Sequence, residues 1–387
     1  MSNNKYIIKN LAPWMIDELV SFSKFSKFDL IFLREQDEFY DEDIALLRKR
    51  GIRVLNRPFK AGLFLKKIFI VFFFLLRNIF KFSFSYNFVL GFKSIFLFLR
   101  LDLSEFSEES NLHAQFATQA TIICLLIKQY YNFKPKYYFT FHAHDIYFNN
   151  RWFNLLLKNC DLSFSISQYN IKYVKNKFTI SNKYVLSRLG VNRDIVADIK
   201  NKSNVFTMGT LSWFVEKKGI IFLLEAFLIL KNREYNNIKL ILAGDGPLKN
   251  KYINYIKDNS LESNIKYIGK IRAEEKDTFY KSIDSFVLPS IALKNDQDGI
   301  PVVLMEAVAY SLPIISTDVS GISEICVDEY NGYLLNEKNA DNIADAIIKL
   351  MENKNIQRNF AINSKKISNQ YDIDINSKSK LKKMDWM

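Results

Sequence analysis

The sequence has few of the residues that build covalent or metal-held scaffolds. Only three cysteines occur in 387 residues, Cys124, Cys160 and Cys326, and no two form a CxxC pair. This spacing argues against a disulfide framework and against a structural zinc site. Each cysteine has apolar neighbours and is expected to be a small core residue. No short apolar leader with a small-residue cleavage site opens the chain, so we expect a reducing, cytoplasmic location.

Long apolar runs are also missing. The longest, Ile68–Leu76, spans nine residues, whereas a membrane-spanning helix needs about 20. Acidic residues are absent from residues 51–100, which contain nine basic residues. The net charge of +13 is therefore uneven: residues 1–200 hold 29 basic and 17 acidic residues, and residues 201–387 hold 25 and 24. The basic character belongs to the first half.

Residues 63–101 intersperse phenylalanine and leucine with basic side chains, namely Lys66, Lys67, Arg77, Lys81, Lys93 and Arg100. Their spacing suits helices that lie on a membrane, with basic stems reaching the headgroups and apolar side chains entering the lipid boundary. Anionic lipid would add about 1 kcal/mol per basic residue. The alternative is a pair of buried helices with basic edges. Nucleic-acid binding is less favoured, because the basic residues alternate with aliphatic bulk and no known nucleic-acid module is present.

Short β-rich runs alternate with longer amphipathic stretches in both halves, which is typical of parallel α/β sheets. The predicted strands of the first half are Lys5–Lys9, Asp29–Arg34, Arg53–Asn56, Tyr137–His142 and Leu162–Ile166. Those of the second half are Val205–Gly209, Lys239–Ala243, Lys266–Ile268, Ser285–Leu288, Pro313–Ser316 and Gly332–Leu334.

We expect two doubly wound domains, residues 1–195 and 196–370, with their junction in the polar stretch Leu189–Asn204. A tail, residues 371–387, is expected to pack back on the first domain. The two sheets are predicted to face a cleft, with ligands at the carboxyl ends of their strands.

The second half contains three motifs that could bind an anionic ligand. In TMGTLSWFVEKKG, a strand is predicted to end at Gly209, and Lys217 and Lys218 precede a helix. A helix N-terminus with nearby ammonium groups suits a diphosphate, although lysines at such a position are often only solvated. In LILAGDGPLK, Gly244 and Gly246 allow close backbone approach to a ligand, or simply form a tight turn. The three-glycine dinucleotide fingerprint is missing, which disfavours a nicotinamide cofactor.

The third motif is DGIPVVLMEA. Gly299 and Ile300 would offer backbone amides to a phosphate or a sugar hydroxyl, and Pro301 fits the start of a helix. Glu306 lies eight positions after Asp298 within an apolar helix. A buried carboxylate there needs hydrogen-bond donors, and ribose hydroxyls are suitable. A solvated helix residue is the alternative.

All three histidines lie in two pieces of the first half. His113 is in NLHAQFATQATI, and YYFTFHAHDIYF contains His142, His144 and Asp145 at the predicted carboxyl end of a strand. These histidines could orient a substrate hydroxyl or share charge with a leaving group. The alternative is that they are core histidines whose ring nitrogens have hydrogen-bond partners. A metal site is disfavoured, because no third ligand is suitably spaced.

Together, KKG at a helix start, AGDGPL, DGIPVVLMEA and STDVSG resemble the retaining GT-B glycosyltransferases of the family-four type. HAQFAT and FTFHAHDIY are similar to the subgroup that makes colanic acid and related exopolysaccharides or lipopolysaccharides. The resemblance covers about residues 110–370. It implies a GT-B fold of two Rossmann-like domains.

The resemblance also implies site roles. Lys218 would meet the donor diphosphate together with Lys217, and Glu306 would meet the ribose hydroxyls. Asp298 takes the place of the first glutamate in the family's Glu–seven residues–Glu pattern, beside the donor sugar, and is one methylene shorter. A further departure is Thr210, where relatives often place an arginine nearby. The remaining implied residues are Gly209, Gly244, Gly246, Gly299, Ile300 and Pro301 for the donor, His144 as the active-site histidine, and His113, His142 and Asp145 on the acceptor side.

The sequence thus predicts a retaining hexosyltransferase that uses a nucleotide-diphosphate sugar as co-substrate, with no cofactor and no metal ion. Its acceptor would be a lipid-linked or surface polysaccharide such as lipopolysaccharide or capsule. The enzyme would bind the inner face of the cell membrane peripherally through residues 63–101. A non-catalytic carbohydrate- or lipid-binding partner with the same fold is the alternative.

Overall fold

The computed structural model describes residues 2–56, 58–59, 65–78, 86–147, 150–178, 183–192, 205–294 and 296–387. The chain divides into two compact units: a first domain of Met1–Leu189 with Ile373–Met387, and a second domain of Gly190–Asp372. The last residues of the chain therefore belong to the first domain. Most of the expected junction, residues 193–204, lies outside the described residues.

The first domain is built on a seven-stranded parallel sheet with the order β3-β2-β1-β4-β5-β6-β7. Its strands are β1 (Asn4–Ile8), β2 (Asp29–Phe32), β3 (Arg53–Asn56), β4 (Asn111–Gln115), β5 (Lys136–Phe141), β6 (Leu162–Ser165) and β7 (Tyr184–Leu186). The strand order reverses between β1 and β4.

The second domain contains a six-stranded parallel sheet with the order β10-β9-β8-β11-β12-β13. Its strands are β8 (Phe206–Trp213), β9 (Ile238–Asp245), β10 (Ile265–Gly269), β11 (Ser285–Leu288), β12 (Ile314–Thr317) and β13 (Gly332–Leu335). Here the order reverses between β8 and β11. Ligands of open α/β sheets bind at such reversal points.

The helices connect these strands. They are α1 (Pro13–Ser23), α2 (Asp41–Lys49), α3 (Leu65–Asn78), α4 (Tyr86–Arg100), α5 (Gln119–Tyr130), α6 (Ala143–Tyr147), α7 (Phe153–Asn159), α8 (Gln168–Lys177), α9 (Ile220–Asn232), α10 (Lys249–Asp258), α11 (Ala273–Ser282), α12 (Val302–Ala309), α13 (Ala340–Glu352), α14 (Lys354–Ser368) and α15 (Ile373–Lys383). Within the described residues, no helix is both long and apolar enough to cross a membrane.

Two apolar cores lie on opposite faces of the first sheet, as the alternation of side chains along β1 requires. Ile7 faces the core beneath α5, whereas Tyr6 and Ile8 face the core beneath α1. The second of these cores includes Leu381 and Trp386 from the end of the chain. Helix α15 therefore packs on α1, and the tail completes the first domain.

The sequence prediction lacks β4 and β7. Polar residues at alternate positions hide β4, which is nevertheless a central, buried strand. Its polar side chains are paired inside the sheet: His113 contacts Thr140 at 3.0 Å, and Gln115 donates to Tyr6 Oη at 2.7 Å. Buried polar groups are tolerated where such partners exist.

The prediction that a strand ends at Gly209 is wrong. Strand β8 continues to Trp213 and pairs with β9 along its whole length. Gly209 therefore lies in mid-strand, away from any loop that could meet a ligand. Its missing side chain makes room for packing, because a Cβ would lie 2.5 Å from the Cδ1 atom of Ile283, which follows α11.

The basic aromatic segment forms α3 and α4, and part of it lies outside the described residues, including Lys81. The two faces of the segment differ in their exposure. Phe74 and Phe98 are buried with α5, whereas a second set of apolar side chains is exposed. The exposed set is Leu65, Ile68, Phe69, Phe72, Phe73, Leu75 and Leu76 on α3, and Phe88, Val89, Phe92 and Phe96 on α4.

Lys67 does not reach toward a lipid headgroup as expected. It is buried, and its ammonium donates to the backbone carbonyls of Leu99 at 3.1 Å and Leu101 at 2.6 Å. The reason is that the last carbonyls of a helix lack intrahelical partners, and a cation at that end satisfies them. The other described basic residues of the two helices, Lys66, Arg77, Lys93 and Arg100, are exposed.

Candidate functional site

A polar cluster lies in the second domain where the strand order reverses. After β8 the chain makes a 3-10 turn, Glu216–Lys218, that ends at Gly219 with φ of 62°. Glycine is required there, because a Cβ would lie 1.9 Å from the carbonyl oxygen of Pro289. The amide of Ile291 donates to the Lys217 carbonyl at 2.8 Å, so the loops after β8 and β11 are joined.

The two lysines of this turn meet acidic residues from the loop after β11. Lys218 Nζ lies 2.9 Å and 2.8 Å from the two carboxylate oxygens of Asp298. Lys217 Nζ pairs with Asp296 at 2.9 Å and lies 3.8 Å from Asp298. Ser290 donates to Asp298 at 2.8 Å. Lys218 and Asp298 are 80 residues apart in the sequence. Both side chains are largely buried where they form this ion pair.

This cluster keeps Asp298 ionised. Burial alone would raise the pKa of Asp298, but the charges of Lys218 and Lys217, with hydrogen bonds from Lys218 and Ser290, hold the pKa below its ordinary value. An ammonium has three donors, and the contacts with Asp298 occupy two of those of Lys218. The third donor of such an ammonium can meet an anionic ligand.

Asp298 is followed by the start of α12. Gly299 and Ile300 form a bend, and Pro301 is the residue that caps the helix. The side chain of Ile300 is buried. Its backbone follows Asp298 by two residues.

Glu306 projects from α12 toward α11. Its carboxylate accepts hydrogen bonds from Lys276 Nζ and Tyr280 Oη, both at 2.6 Å. Burial and the nearby charge of Glu306 raise the pKa of Tyr280, which remains a neutral donor. Glu306 is thus held in place by two partners and is not a merely solvated helix residue.

Gly244 and Gly246 lie at the end of β9, beside the end of β8. A Cβ on Gly244 would lie 2.0 Å from the carbonyl oxygen of Ser212, and one on Gly246 would lie 2.7 Å from the amide nitrogen of Phe214. Backbone packing between the two loops therefore accounts for both glycines, as in the tight-turn alternative. Phe214 donates to Asp245 O and accepts from Leu248 across the same junction.

A second polar cluster lies in the first domain, where β1 and β4 meet. His142 follows β5 and is nine-tenths buried, with its Nε2 3.0 Å from Gln115 Oε1 and its ring between Trp14 and Phe116. Burial, with the positive charge of Lys380, lowers the pKa of His142 to about 3, so the ring is neutral. Phe116 adopts φ of 67°, a conformation that is uncommon for a bulky side chain.

Gln115 connects His142 to a buried ion pair. Its amide nitrogen donates to Tyr6 Oη and to Glu18 Oε2, both at 2.7 Å. Glu18 also accepts from Tyr6 at 2.6 Å and, through its other oxygen, from Lys380 of α15 at 2.7 Å. The chain end therefore supplies a cation to this network.

The other predicted acceptor-side residues lie at different depths. His113 is fully buried beneath the cluster, and burial, followed by the charge of Lys380, lowers its pKa well below the ordinary value. The expectation that His113 meets the acceptor does not fit this position, because no surface of the ring is accessible. His144, on α6, is exposed on the outside of the turn.

Asp145 caps the turn that begins α6. Its carboxylate accepts from the amide of His142 at 2.8 Å. Burial raises the pKa of Asp145 to about 7, although the backbone amides of His142 and Ala117 oppose this shift. Asp145 thus positions the HAHD turn rather than facing a substrate.

A cavity of about 260 Å³ lies at this end of the sheet, and its lining includes Gln115 and Phe116, which contact His142. Its lining joins the ends of β1 and β4 to the starts of α1 and α5 and to one side of α4, and consists of Ile8, Lys9, Asn10, Met15, Val89, Leu90, Lys93, Gln115, Phe116, Thr118 and Gln119. In the described part of the chain, no group of three or more His, Cys, Asp or Glu side chains is arranged to hold a metal ion.

Sequence reasoning did not find several members of these clusters. Ser290 could have been found, since it stands two residues after a predicted strand. Lys276 and Tyr280 lie four residues apart on one face of a helix, and neither follows a predicted strand or belongs to a motif. Lys380 meets Glu18 across 362 residues, a pairing that no local pattern indicates.

Comparison with known proteins finds a family model that matches part of the chain. Residues 192–367 match the family model "Glycosyl transferases group 1". The chain is 31% identical over 192 residues to the putative colanic acid biosynthesis glycosyltransferase WcaL of Salmonella typhimurium. The aligned region covers 49% of the chain and 47% of that protein.

A second relative is the UDP-Gal:alpha-D-GlcNAc-diphosphoundecaprenol alpha-1,3-galactosyltransferase of Escherichia coli. It is 27% identical over 164 residues, which is 42% of the chain and 40% of that protein. The chain thus spans less than half the length of either of these curated relatives in the matched region.

Among solved structures, HepE of Anabaena in complex with UDP and glucose superposes with a TM-score of 0.73. The match covers 100% of both chains at 14% sequence identity. This likeness concerns the fold, and it confirms the predicted GT-B class with two parallel-sheet α/β domains.

Proposed function

We propose that this chain, whose residues 192–367 form a group 1 glycosyltransferase domain, is a retaining glycosyltransferase of polysaccharide biosynthesis. It transfers a hexose from a nucleotide-diphosphate sugar to a lipid-linked or surface glycan. The observation that carries the proposal is the Lys218–Asp298 pair at the reversal point of the second sheet. The relatives support the substrate classes, since WcaL is a putative colanic acid biosynthesis glycosyltransferase and the other uses UDP-Gal and GlcNAc-diphosphoundecaprenol.

In this proposal the second domain binds the donor. Lys218 and Lys217 face the diphosphate, the backbone of Gly299 and Ile300 lines the sugar and phosphate, and Glu306 accepts from the ribose hydroxyls. Asp298 lies beside the donor sugar and holds Lys218 in position. A cation fixed in advance stabilises the charge that develops on the departing diphosphate without reorganisation.

The chemical step we propose is a same-face substitution. The bond between the anomeric carbon and the diphosphate oxygen breaks, and the acceptor oxygen bonds to that carbon on the same face. The departing diphosphate takes the proton of the acceptor hydroxyl. No protein base is needed in this step, because the diphosphate takes the proton. No divalent ion is needed, because Lys218 and the start of α9 supply positive charge.

The acceptor is proposed to bind the first domain, with His144 or the neutral His142 orienting its hydroxyl. The exposed apolar faces of α3 and α4 are proposed to contact an anionic membrane at its inner face. Their charge supports this occupant, since residues 51–100 contain basic residues and no acidic ones. Monomeric proteins rarely expose apolar side chains in such continuous patches.

Nucleotide binding tests the donor site. Thermal unfolding is measured with UDP, GDP, dTDP and ADP, and one of them at 100 times its Kd is expected to stabilise the protein by about 2.7 kcal/mol. Lys218→Ala should weaken binding by about tenfold or more, since it removes a charge-assisted hydrogen bond. Lys257→Ala, which changes an exposed lysine of α10, is the matched control and should bind as the wild type does. Equal binding by both variants would remove Lys218 from the site.

A further inference from the structure

A second cavity, of about 520 Å³, lies in the second domain between α14 and the turn 327–331 that precedes β13. Its volume is within the range of about 300–1,000 Å³ that small-molecule ligands occupy. The turn leads into the amino end of β13, the edge strand, whereas Lys218 and Asp298 follow the carboxyl ends of β8 and β11. Because all strands of this sheet are parallel, the turn and the proposed donor site lie at opposite ends of the strands.

Helix α14 forms one wall of the cavity. Its lining side chains are Ile356, Asn359, Phe360 and Asn363, which follow one another at intervals of three or four residues. Residues with this spacing share one face of a helix. The carboxamide nitrogen of Asn363 donates to the carbonyl of Tyr330 at 2.8 Å, so the turn is joined to the helix across the cavity.

The turn that forms the other wall is fixed from within the domain. Asn331 is fully buried, accepts from the amide of Val327 at 2.8 Å and donates to the carbonyl of Ile325 at 3.0 Å. Glu329 adopts φ of 55°, which is uncommon for a residue other than glycine. These bonds hold Glu329 and Tyr330 beside the cavity before any ligand binds.

Aromatic rings supply apolar surface to the cavity. Tyr333 and Phe360 pack edge to face with their centroids 5.3 Å apart, and the ring of Tyr330 is 40% exposed. A tyrosine combines an apolar ring face with a polar hydroxyl. A pyranose has the complementary surface, since its axial C–H groups form an apolar face and its hydroxyls form a polar rim.

Polar groups without protein partners accompany these rings. Within the described part of the chain, no hydrogen bond or ion pair is made by the side chains of Glu329 and Asn359 or by the hydroxyls of Tyr330 and Tyr333. Burial, followed by the charges of Glu329 and Asp328, raises the pKa of Tyr333, so its hydroxyl stays protonated. The set contains both donors and acceptors, which matches sugar hydroxyls because each of them donates and accepts.

The charge of the lining favours a neutral ligand. Glu329 is its acidic member and Lys366 its basic member, and Lys366 Nζ donates to Asn363 Oδ1 at 3.1 Å. An anion such as a nucleotide would meet the Glu329 carboxylate as well as this ammonium. A wholly apolar ligand would cover the polar groups without giving them partners, which costs free energy.

We propose that this cavity binds a neutral sugar residue of a glycan, as a saccharide site separate from the donor site. The ring of Tyr330 packs on the apolar face of the sugar, and Glu329, Asn359 and Tyr333 bond to its hydroxyls. The inference rests on the proposed function, which supplies the glycan. A polymer held at a second point stays near the enzyme, because its next binding event becomes intramolecular.

The test is saturation-transfer NMR on the full chain with the methyl glycosides of glucose, galactose and N-acetylglucosamine. At least one glycoside should bind, and cyclohexanol, a ring without the hydroxyl array, should bind about tenfold more weakly. Tyr330→Ser should weaken the bound glycoside by about tenfold, since the ring contact is lost. Asn359→Ala should weaken it by about fivefold. Asn254→Ala, at an exposed asparagine of α10, is the matched control and should bind like wild type.

Competition locates the bound glycoside. An excess of UDP-, GDP-, dTDP- or ADP-linked hexose should leave it in place, whereas displacement would assign it to the donor site and overturn the proposal. Circular dichroism and the thermal midpoint verify that each variant is folded. Equal binding by wild type and by folded Tyr330→Ser/Asn359→Ala would overturn it, and so would cyclohexanol that binds as tightly as the glycosides or the failure of all three glycosides to bind.

Nucleotide binding by the wild-type protein is measured in parallel. If a nucleotide binds and no glycoside does, the cavity inference fails while the donor proposal stands. If a glycoside binds in the cavity and no nucleotide binds, the donor proposal fails and the cavity remains a saccharide site.

Discussion

At the scale of single residues, His142 shows how burial determines chemistry. An unfolded imidazole binds a proton below about pH 6.5, whereas burial and Lys380 delay protonation of the folded ring until about pH 3. Between these values the unfolded state binds more protons, so stability falls as pH falls. Above about pH 6.5 both states are neutral and the contribution is fully present.

This linkage predicts a pH-dependent difference between wild type and His142→Gln. The free energy of unfolding, measured with denaturant from pH 7.5 to 4.5, should fall more steeply in the wild type by up to about 1.4 kcal/mol per pH unit below pH 6.5. Asp145, with its pKa raised to about 7, has the opposite sign, since it favours the folded state as pH falls. It is present in both proteins and cancels in the difference. Parallel curves would show that His142 is not held neutral.

Individual residues differ in how far the sequence predicts them. Lys218 and Asp298 were identified because each stands in a recognisable loop, and the fold brings them to 2.8 Å. Gly209 was misplaced because a glycine often ends a strand, whereas here the packing of Ile283 demands it in mid-strand. A local pattern cannot distinguish these two reasons for a glycine.

At the scale of secondary-structure elements, α15 is the clearest case of long-range dependence. Its Lys380 is buried against Glu18, and Leu381, Met384 and Trp386 join the core of the first domain. The sequence suggested a tail that packs back, but it did not indicate that the tail supplies a charge to the His142 network. Such a role depends on a partner 362 residues away.

Lys380→Met should therefore destabilise the protein by about 3–5 kcal/mol, because it leaves Glu18 buried without a counter-charge. The double variant Lys380→Met/Glu18→Gln should recover part of this loss, since it removes the uncompensated charge. Denaturant unfolding of the two variants measures both values. A loss below about 1 kcal/mol in the single variant would mean that the pair is effectively solvated.

Helices α3 and α4 form the element that should determine membrane binding. Phe92 and Phe96 are 59% and 51% exposed on α4. Phe92→Ser/Phe96→Ser should weaken binding to phosphatidylglycerol-containing vesicles by about tenfold or more, because two apolar side chains no longer enter the lipid. Phe133→Ser, at a similarly exposed loop position with 52% exposure, is the control and should sediment with vesicles like wild type.

The salt dependence of the same experiment separates the charge from the apolar face. Raising the ionic strength should release wild-type protein, since the basic residues act through screened electrostatics. Binding that is equal to neutral and anionic vesicles would contradict the assigned occupant of this face.

At the scale of the whole molecule, the alternation of strands and helices was sufficient to predict two parallel α/β domains. It missed β4, the strand that forms one side of the first reversal point, because its polar side chains break the apolar pattern. The polar residues that hide β4 are the same ones that build the His113 and Gln115 contacts. Sequence prediction failed there because a central strand of this sheet also builds the candidate site.

The charge of the chain is divided unevenly between the two domains. Most of the net charge of +13 lies in the first 200 residues. Of these, Met1–Leu189 belong to the first domain, which contains α4 and the cavity of about 260 Å³. Residues 201–387 hold 25 basic and 24 acidic residues. The local cations of the proposed donor site are Lys217 and Lys218, which contact Asp296 and Asp298.

The most direct test of the central claim is turnover of nucleotide-sugars by the full chain in excess EDTA without acceptor. Release of nucleoside diphosphate is followed for UDP-, GDP-, dTDP- and ADP-linked hexoses, and NMR records the anomeric configuration of the freed sugar. We predict release from one donor class with the configuration of the donor retained. A protein that binds one of these nucleotides and yet releases nothing, with or without added Mg²⁺ or Mn²⁺, would contradict the account and favour a non-catalytic binding partner.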